Sequence, residues 1–406
     1  MKPLRVILVT TEPPLPFGHA TARWSYVLLK GLAERGHRVT AFTASSKLQA
    51  IEAAKALFPW PDYDLRCYPH PRRGGLHAKW ETVRRPYSYM FSRFLRRDLG
   101  AELARGFDVL HLEGTWAGWL GRGNEAFKAL LNCHNLYEID QPAQPARGLR
   151  DRLRRMLQRR TERLLLRSYA MLVTLTPRLK DAVRAIAPNA SIHVVPIGLD
   201  LALYPFVPPE RRPSEPVIGM IGSMGWYPSR SAAMRLLTRL WPAIKQRVPK
   251  AKIQIVGWEA RAALKDYLGG SDLEVLENVS DTRSYFERTG VLLYAPERGS
   301  GMKVKVLEAF AYGVPVVTTS DGVEGIPAHD GVHVGLCDDD SGLIERAVRL
   351  LGDRARQEQQ RRAARQLVER YCNPQTALDA VERCYAALLA RRPDSPGSAV
   401  CTEATS

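Results

Sequence analysis

Cysteine is scarce and scattered. Six occur in 406 residues, at positions 67, 133, 337, 372, 384 and 401, with no pair at metal-ligand spacing. That argues against a zinc ribbon or a disulfide-stapled module and fits a reducing compartment. Long apolar runs are also missing: no stretch approaches the roughly 20 residues of a bilayer-spanning helix. The opening, Met1 to Glu12, reads as a strand (Arg5 to Val9) and its loop rather than a signal peptide. Acidic residues fall short of basic ones, 42 against 59, for a net charge of +17. The surplus is uneven: residues 1–205 hold 32 Lys+Arg and 17 Asp+Glu, leaving +2 for the remainder. A basic half implies an acidic partner, whether anionic lipid, a diphosphate-linked acceptor or nucleic acid. An arginine-rich codon bias would give the same surplus with no partner. No helix-turn-helix, RNP or zinc-finger pattern is present, so nucleic acid is not expected.

What is present is length enough for two domains, organised around residues 296–326 and the strand before them. Val291 to Ala295 reads as a strand, Gly299-Ser300-Gly301 as a turn, and Met302 to Tyr312 as a helix stopped by Gly313. Pro315 cannot continue a helix, and Val314 to Thr319 is strand-like. A glycine turn feeding a helix N-terminus offers free amides and a positive helix end to an anion. Lys303 and Lys305 add charge in the first turn, where lysine opposes the helix dipole and a bound anion would relieve the conflict. Glu308 shares a face with Lys305. A sugar nucleotide would meet the amides and ammonium with its phosphates and the carboxylate with its ribose. The plainer alternative is an ordinary strand–loop–helix unit with Lys305 and Glu308 as a surface salt bridge.

Glu308-Ala309, Ala311, Gly313, Pro315-Val316-Val317 and Glu324-Gly325 together resemble the signature of the GT-B retaining glycosyltransferases of family 4, the glycosyl transferase group 1 clan. One position departs from the pattern: Ser300 stands where the family often has a glutamate, eight residues before Glu308.

The resemblance extends along the chain. Arg5 to Val9, the loop to Ala20, a helix from Thr21 to Arg35 and a strand from His37 to Phe42 form a β-α-β unit. Gly18 and His19 lie at the strand's carboxyl end, where ligands of open α/β sheets sit. The resemblance assigns Gly18 to the donor and makes His19 an acceptor-side candidate, or a plain loop residue. Tyr87, Tyr89, Phe91 and Phe94 interleave with arginines, as a membrane-facing or acceptor-holding surface or as a buried helix with a basic outer face. The strands ending Leu110-His111-Leu112-Glu113 and Asn132-Cys133-His134-Asn135 each carry a histidine. His134 resembles the family histidine that faces the donor sugar. His111, Glu113 and Asp140 are acceptor-side candidates, with structural hydrogen bonding as the alternative for both His134 and His111. Residues 148–170 read as a helix with an apolar stripe (Leu149, Leu153, Met156, Leu157, Leu164, Tyr169) and a basic face, solvated or lying on anionic lipid.

In the second half, Val217 to Ile221, Gly222-Ser223 and a helix from Arg230 to Gln246 repeat the strand–glycine loop–helix pattern. Gly222, Ser223 and Arg230 are donor-binding candidates beside Gly299, Ser300, Gly301, Met302 and Lys303; Ser229 stands where relatives have asparagine. Asn278 to Asp281 resembles a base-contacting stretch, with Asp281 equally an N-cap. Asp338-Asp339-Asp340 reads as a cap, rather than a metal site, on the first of two final helices expected over about 341–370 and 374–391.

The resemblance implies an α/β, GT-B architecture: two Rossmann-like doubly wound domains facing across a cleft. The expected divisions are 1–200 for the acceptor-side domain, 201–215 for a linker, 216–370 for the nucleotide-sugar domain, 371–391 for a helix crossing back, and 392–406 for a disordered tail. The implied activity is retaining, metal-independent hexosyl transfer from a nucleotide-diphosphate sugar to a glycan, lipid-linked or small-molecule acceptor, with cell-surface or exopolysaccharide assembly favoured. His134, Lys305 and Glu308 are the catalytic candidates. No cofactor and no metal are expected. The expected location is cytoplasmic, peripheral on the inner face of the plasma membrane. The alternatives are a nucleotide-sugar epimerase or hydrolase of the same fold, and a non-catalytic basic binding module.

Overall fold

The structure, a computed structural model, describes residues 1–72, 74–123, 126–141, 148–277, 279 and 281–391. Of the expectations above, the tail 392–406 and positions 278 and 280 lie outside the described residues. The chain divides into two compact units. One comprises Met1–Glu138, Ala146–Gly198 and Pro374–Ser406, the other Ile139–Pro145 and Leu199–Asn373.

The first unit is built on seven strands: β1 (Arg5–Thr10), β2 (Arg38–Ser45), β3 (Asp64–Pro69), β4 (Val109–Glu113), β5 (Ala129–Cys133), β6 (Met171–Thr174) and β7 (Ser191–Val194). They run parallel in the order β3-β2-β1-β4-β5-β6-β7. The order reverses beside β1, and such switch points leave a crevice at the strands' carboxyl ends. Both β4 and β5 are buried along their whole length, as strands covered on both faces must be. The helix Pro374–Leu389 belongs to this unit. It seats Leu378 against Gly31, where an added Cβ would lie 2.2 Å from a leucine methyl. Arg35 ties it down through Asp379 (2.7 Å) and Glu382 (2.5 Å), and His37 meets the same Glu382 at 3.0 Å.

The second unit has six parallel strands: β8 (Val217–Ile221), β9 (Lys252–Gly257), β10 (Leu273–Glu277), β11 (Val291–Tyr294), β12 (Val316–Thr318) and β13 (Gly335–Leu336), ordered β10-β9-β8-β11-β12-β13. Each sheet is Rossmann-like.

Three elements differ from their sequence expectation. The helix expected over Arg230 to Gln246 starts earlier, at Tyr227, and carries a wide turn at Leu236–Leu240 before Trp241–Arg247. Pro242 has no N–H to donate, and a widened turn accommodates the missing bond. The long helix expected near 341–370 is broken into Asp340–Gly352 and Arg354–Tyr371, because Asp353 caps the second by accepting from the Arg356 amide at 2.9 Å. The apolar stripe of the helix Leu149–Arg167 faces outward: Leu149 is 83% exposed, Leu153 51% and Met156 57%. Its inner face is instead Gln158, Thr161, Glu162, Leu165 and Leu166. The buried Glu162 carboxylate accepts from the amides of Tyr137 (3.0 Å) and Glu138 (3.3 Å), which removes the cost of burying it.

Candidate active site

In the second unit the signature helix is Val304–Tyr312, two residues shorter at its start than expected, with Lys303 as N-cap. It ends at Gly313, whose φ of 73° is left-handed. A side chain there would also strike Phe206, 2.3 Å from the position of an added Cβ, so only glycine fits.

Lys305 lies in the helix's first turn and points inward. Its Nζ donates to Ser229 Oγ at 2.8 Å and sits 4.3 Å from the Tyr294 ring centroid. A Cβ on Gly222 would come within 2.9 Å of the same ammonium and 2.5 Å of Ser229 Oγ. Gly222 therefore makes room for the lysine. Burial, with a smaller push from Lys303, pulls the Lys305 ammonium down to about 7. An anion here would restore its charge. Glu308, one turn further along, is 5% exposed, so the surface salt bridge is not what the fold builds. Gly299 packs on the first turn of the helix Tyr227–Arg235, 3.0 Å from Pro228 by its would-be Cβ. The two glycine loops and Lys305 thus converge, with Ser223 closing a turn by accepting from the Trp226 amide (3.2 Å) and Arg230 half-buried beyond it.

Several donor-site expectations need correction. Lys303 does not offer a free point charge: its ammonium donates to the carbonyls of Ser300 (3.2 Å) and Gly301 (2.5 Å) and lies 4.0 Å from Glu324. It braces the glycine turn. The Ser300 amide and hydroxyl both donate to Asp140 Oδ1, at 2.7 and 2.9 Å, and the Gly301 amide donates to Glu324 at 3.3 Å. Carboxylates thus occupy amides that the sequence left open for a ligand. Asp140 itself is 3% exposed and is not an acceptor-side surface group. The Met302 side chain is buried at 7% exposure, so only its main chain can serve a ligand. Asp338, Asp339 and Asp340 are all engaged. Asp338 accepts from Ser320, Asp339 caps the Gly342 amide, and Asp340 pairs with Arg235 and Arg239.

In the first unit, Gly18 takes a φ of 86° and its carbonyl accepts from the Arg23 guanidinium at 3.2 Å. His19 is exposed and precedes the helix Ala20–Glu34 without capping it by its side chain. Burial raises the nearby Glu12 carboxyl, with His19 and Lys47 pulling the other way.

His134 follows β5 and is 14% exposed at its side chain. Its Nε2 lies 2.5 Å from one oxygen of Glu113, and the Nε2 of His111 lies 2.6 Å from the other. Asn132 Nδ2 donates to both oxygens at 3.1 Å. Glu113 is fully buried and His111 is 1% exposed. Neither presents a surface to an acceptor, which corrects that expectation; they hold His134. Burial alone would raise the Glu113 carboxyl, but the two imidazoles and their hydrogen bonds keep it well below the usual carboxylate range. The sequence missed Ser229 and Tyr294 as partners of Lys305, and Glu113 as the partner of His134. The cross-strand register Glu113 opposite Asn132 is the signal that could have found the last.

Two family models match the chain: glycosyltransferase family 4 over residues 21–203 and glycosyl transferases group 1 over residues 215–353. A comparison with curated protein sequences finds no match. Among solved structures, sucrose-phosphate synthase from Thermosynechococcus elongatus is similar at a TM-score of 0.70 and 17% identity, covering 95% of this chain and 99% of that one. Anabaena HepE in complex with UDP-glucose superposes with a TM-score of 0.67 at 12% identity, covering 94% and 100%. WaaG, a glycosyltransferase involved in lipopolysaccharide biosynthesis, gives 0.61 at 15% identity, covering 92% and 98%. With family models on both halves and GT-B neighbours over nearly its full length, the chain belongs to the group 1, family 4 glycosyltransferases and has their GT-B type of fold.

Proposed function

We propose that this glycosyltransferase takes its sugar from a nucleoside-diphosphate donor and transfers it with retention of the anomeric configuration. The observation that carries the reading is the Lys305 ammonium held between Ser229, Tyr294 and the bare Cα of Gly222. A half-desolvated cation beside two glycine loops is suited to the charge that develops on a departing diphosphate, preorganised rather than assembled during reaction. Lys305 takes the place a divalent cation would have, so the reaction is metal-independent. Glu308 accepts from the ribose hydroxyls. His134 is the first unit's candidate for hydrogen-bonding the transferring sugar. The UDP-glucose complex of HepE makes a uridine donor the first to try.

The acceptor is proposed to be lipid-linked, in cell-surface or exopolysaccharide assembly on the cytoplasmic face of the plasma membrane. Support comes from the exposed Leu149, Leu153 and Met156, set among Arg150, Arg152 and Arg154 on one helix. Apolar anchors with cations around them suit an anionic bilayer surface. No helix among the described residues is long and apolar enough to cross a membrane.

The test is incubation with UDP-glucose and other sugar nucleotides, with and without bacterial lipid extract and with EDTA. Acceptor-dependent release of nucleoside diphosphate, insensitive to EDTA and giving the donor's anomeric configuration by NMR, is expected. Release that ignores the acceptor would favour the hydrolase alternative, and an inverted product would overturn retention.

A further inference from the structure

The Glu113 cluster continues past the residues assigned so far. His111 Nδ1 lies 2.7 Å from the hydroxyl of Tyr385, on the helix Pro374–Leu389. Tyr385 is 0% exposed, and its ring stands edge-on to His111 at 5.7 Å between centroids. Four side chains therefore form one connected line: Tyr385, His111, Glu113, His134.

The protons along this line can be placed. Burial, with the Glu113 charge adding to it, holds the Tyr385 phenol well above its ordinary range, so it is a neutral O–H. Its one hydrogen-bond partner among the described residues is His111 Nδ1, so the O–H donates there and Nδ1 is an acceptor. The proton of His111 is then on Nε2, in close contact (2.6 Å) with a Glu113 oxygen. The other carboxylate oxygen faces His134 Nε2, and an ionised carboxylate only accepts. His134 must therefore also carry its proton on Nε2. In the neutral imidazole this leaves Nδ1 with a bare lone pair.

We propose that Tyr385 and His111 are positioning residues, which act through Glu113 to hold His134 in its Nε2–H form with an unprotonated Nδ1. Resting on the reading of His134 given above, this identifies His134 as a hydrogen-bond acceptor for a sugar or acceptor hydroxyl, not as a donor. It also makes the last helix part of the site's chemistry, 251 residues along the chain from the histidine it serves. An imidazole whose other nitrogen is tied to a buried carboxylate is fixed in both rotation and tautomer.

The test is 15N NMR of the histidine side chains in the full-length protein, with His134 assigned by loss of its signal in His134→Gln. The wild type should show a pyridine-like Nδ1 and a pyrrole-like Nε2 at His134. The reverse assignment would overturn the proposal outright, without any variant needing to fold. Tyr385→Phe keeps the ring and removes only the hydroxyl. It should bring His134 to a mixture of tautomers and lower kcat about tenfold, with KM for the donor changed less than about twofold. His134 signals identical to wild type in Tyr385→Phe would contradict the positioning role. A changed tautomer with unchanged kcat would leave the positioning intact and remove His134 from the transfer step, so the two failures are distinct.

Discussion

Lys305 donates its ammonium to Ser229 across two different strand–loop–helix units, at 2.8 Å. The serine accepts the hydrogen bond of a cation that also lies against the Tyr294 ring and the Gly222 backbone. Both halves of the proposed diphosphate cradle are joined at this contact, so small changes around it should separate ligand binding from stability.

The space at Gly222 is the first such change. An added methyl would meet Ser229 Oγ at 2.5 Å and Lys305 Nζ at 2.9 Å. Gly222→Ala should displace the ammonium and weaken nucleoside-diphosphate binding by about tenfold or more, since one tenfold step is about 1.4 kcal/mol. Isothermal titration of wild type and variant with UDP, or the diphosphate the enzyme accepts, measures this. Equal affinities would place the ligand elsewhere.

Proton linkage is the second. Lys305 sits at about 7 in the folded chain, against 10.5 unperturbed. Between those values the folded protein has lost a proton that the unfolded chain keeps, so this group's contribution to stability rises as pH climbs from about 7 toward 10.5. Lys305→Met should flatten that part of the stability–pH curve and raise the melting temperature at pH 7, while abolishing diphosphate binding. In the wild type, binding above pH 7 should take up a proton, which titration in buffers of different ionisation enthalpy detects. No uptake at pH 8 would mean that the diphosphate does not approach this lysine.

Glu113 makes the third prediction. It is fully buried between His111 and His134, with Asn132 donating to both oxygens. Glu113→Ala leaves the buried His111, the half-buried His134 and the Asn132 amide without their carboxylate. Removal of one partner from such a buried network costs about 3–5 kcal/mol. Urea unfolding should show a loss of that order, whereas a loss under about 1 kcal/mol would mean that the cluster is not the packed network described.

The outward stripe of the helix Leu149–Arg167 supplies the fourth. Leu149, Leu153 and Met156 are exposed and touch little, so replacing all three with serine should leave the melting temperature within a few degrees. Sedimentation with phosphatidylglycerol vesicles should show binding by wild type, loss in the triple variant, and little binding to phosphatidylcholine. Equal behaviour of wild type and variant would remove this helix from the membrane reading.

Much of this arrangement was legible in the sequence, for local reasons. The β8 and β11 strands, their glycine loops and the stop at Gly313 follow from short-range rules on apolar runs, glycine and helix ends. Lys305 and Glu308 stand out in the sequence because their spacing puts them on one helix face. What the sequence hid were partnerships across long separations. Asp140 meets Ser300 across 160 positions and Tyr385 meets His111 across 274. Neither residue is distinctive in its own neighbourhood. The bracing role of Lys303 is not legible in the sequence, because only the folded loop shows its ammonium turning back to the carbonyls of Ser300 and Gly301. For the helix Leu149–Arg167, periodicity reveals an apolar stripe but not what covers it, and here a buried Glu162 satisfied by two amides takes the inner face.

The most direct test of the central claim is a thermal-shift panel of UDP, GDP, ADP, TDP and CMP on wild type and Glu308→Ala. A ligand at a hundred times its Kd adds about 2.7 kcal/mol of stability. The account predicts a clear upward shift with one nucleoside diphosphate, absent in Glu308→Ala. No shift with any of them in the wild type would contradict the donor site.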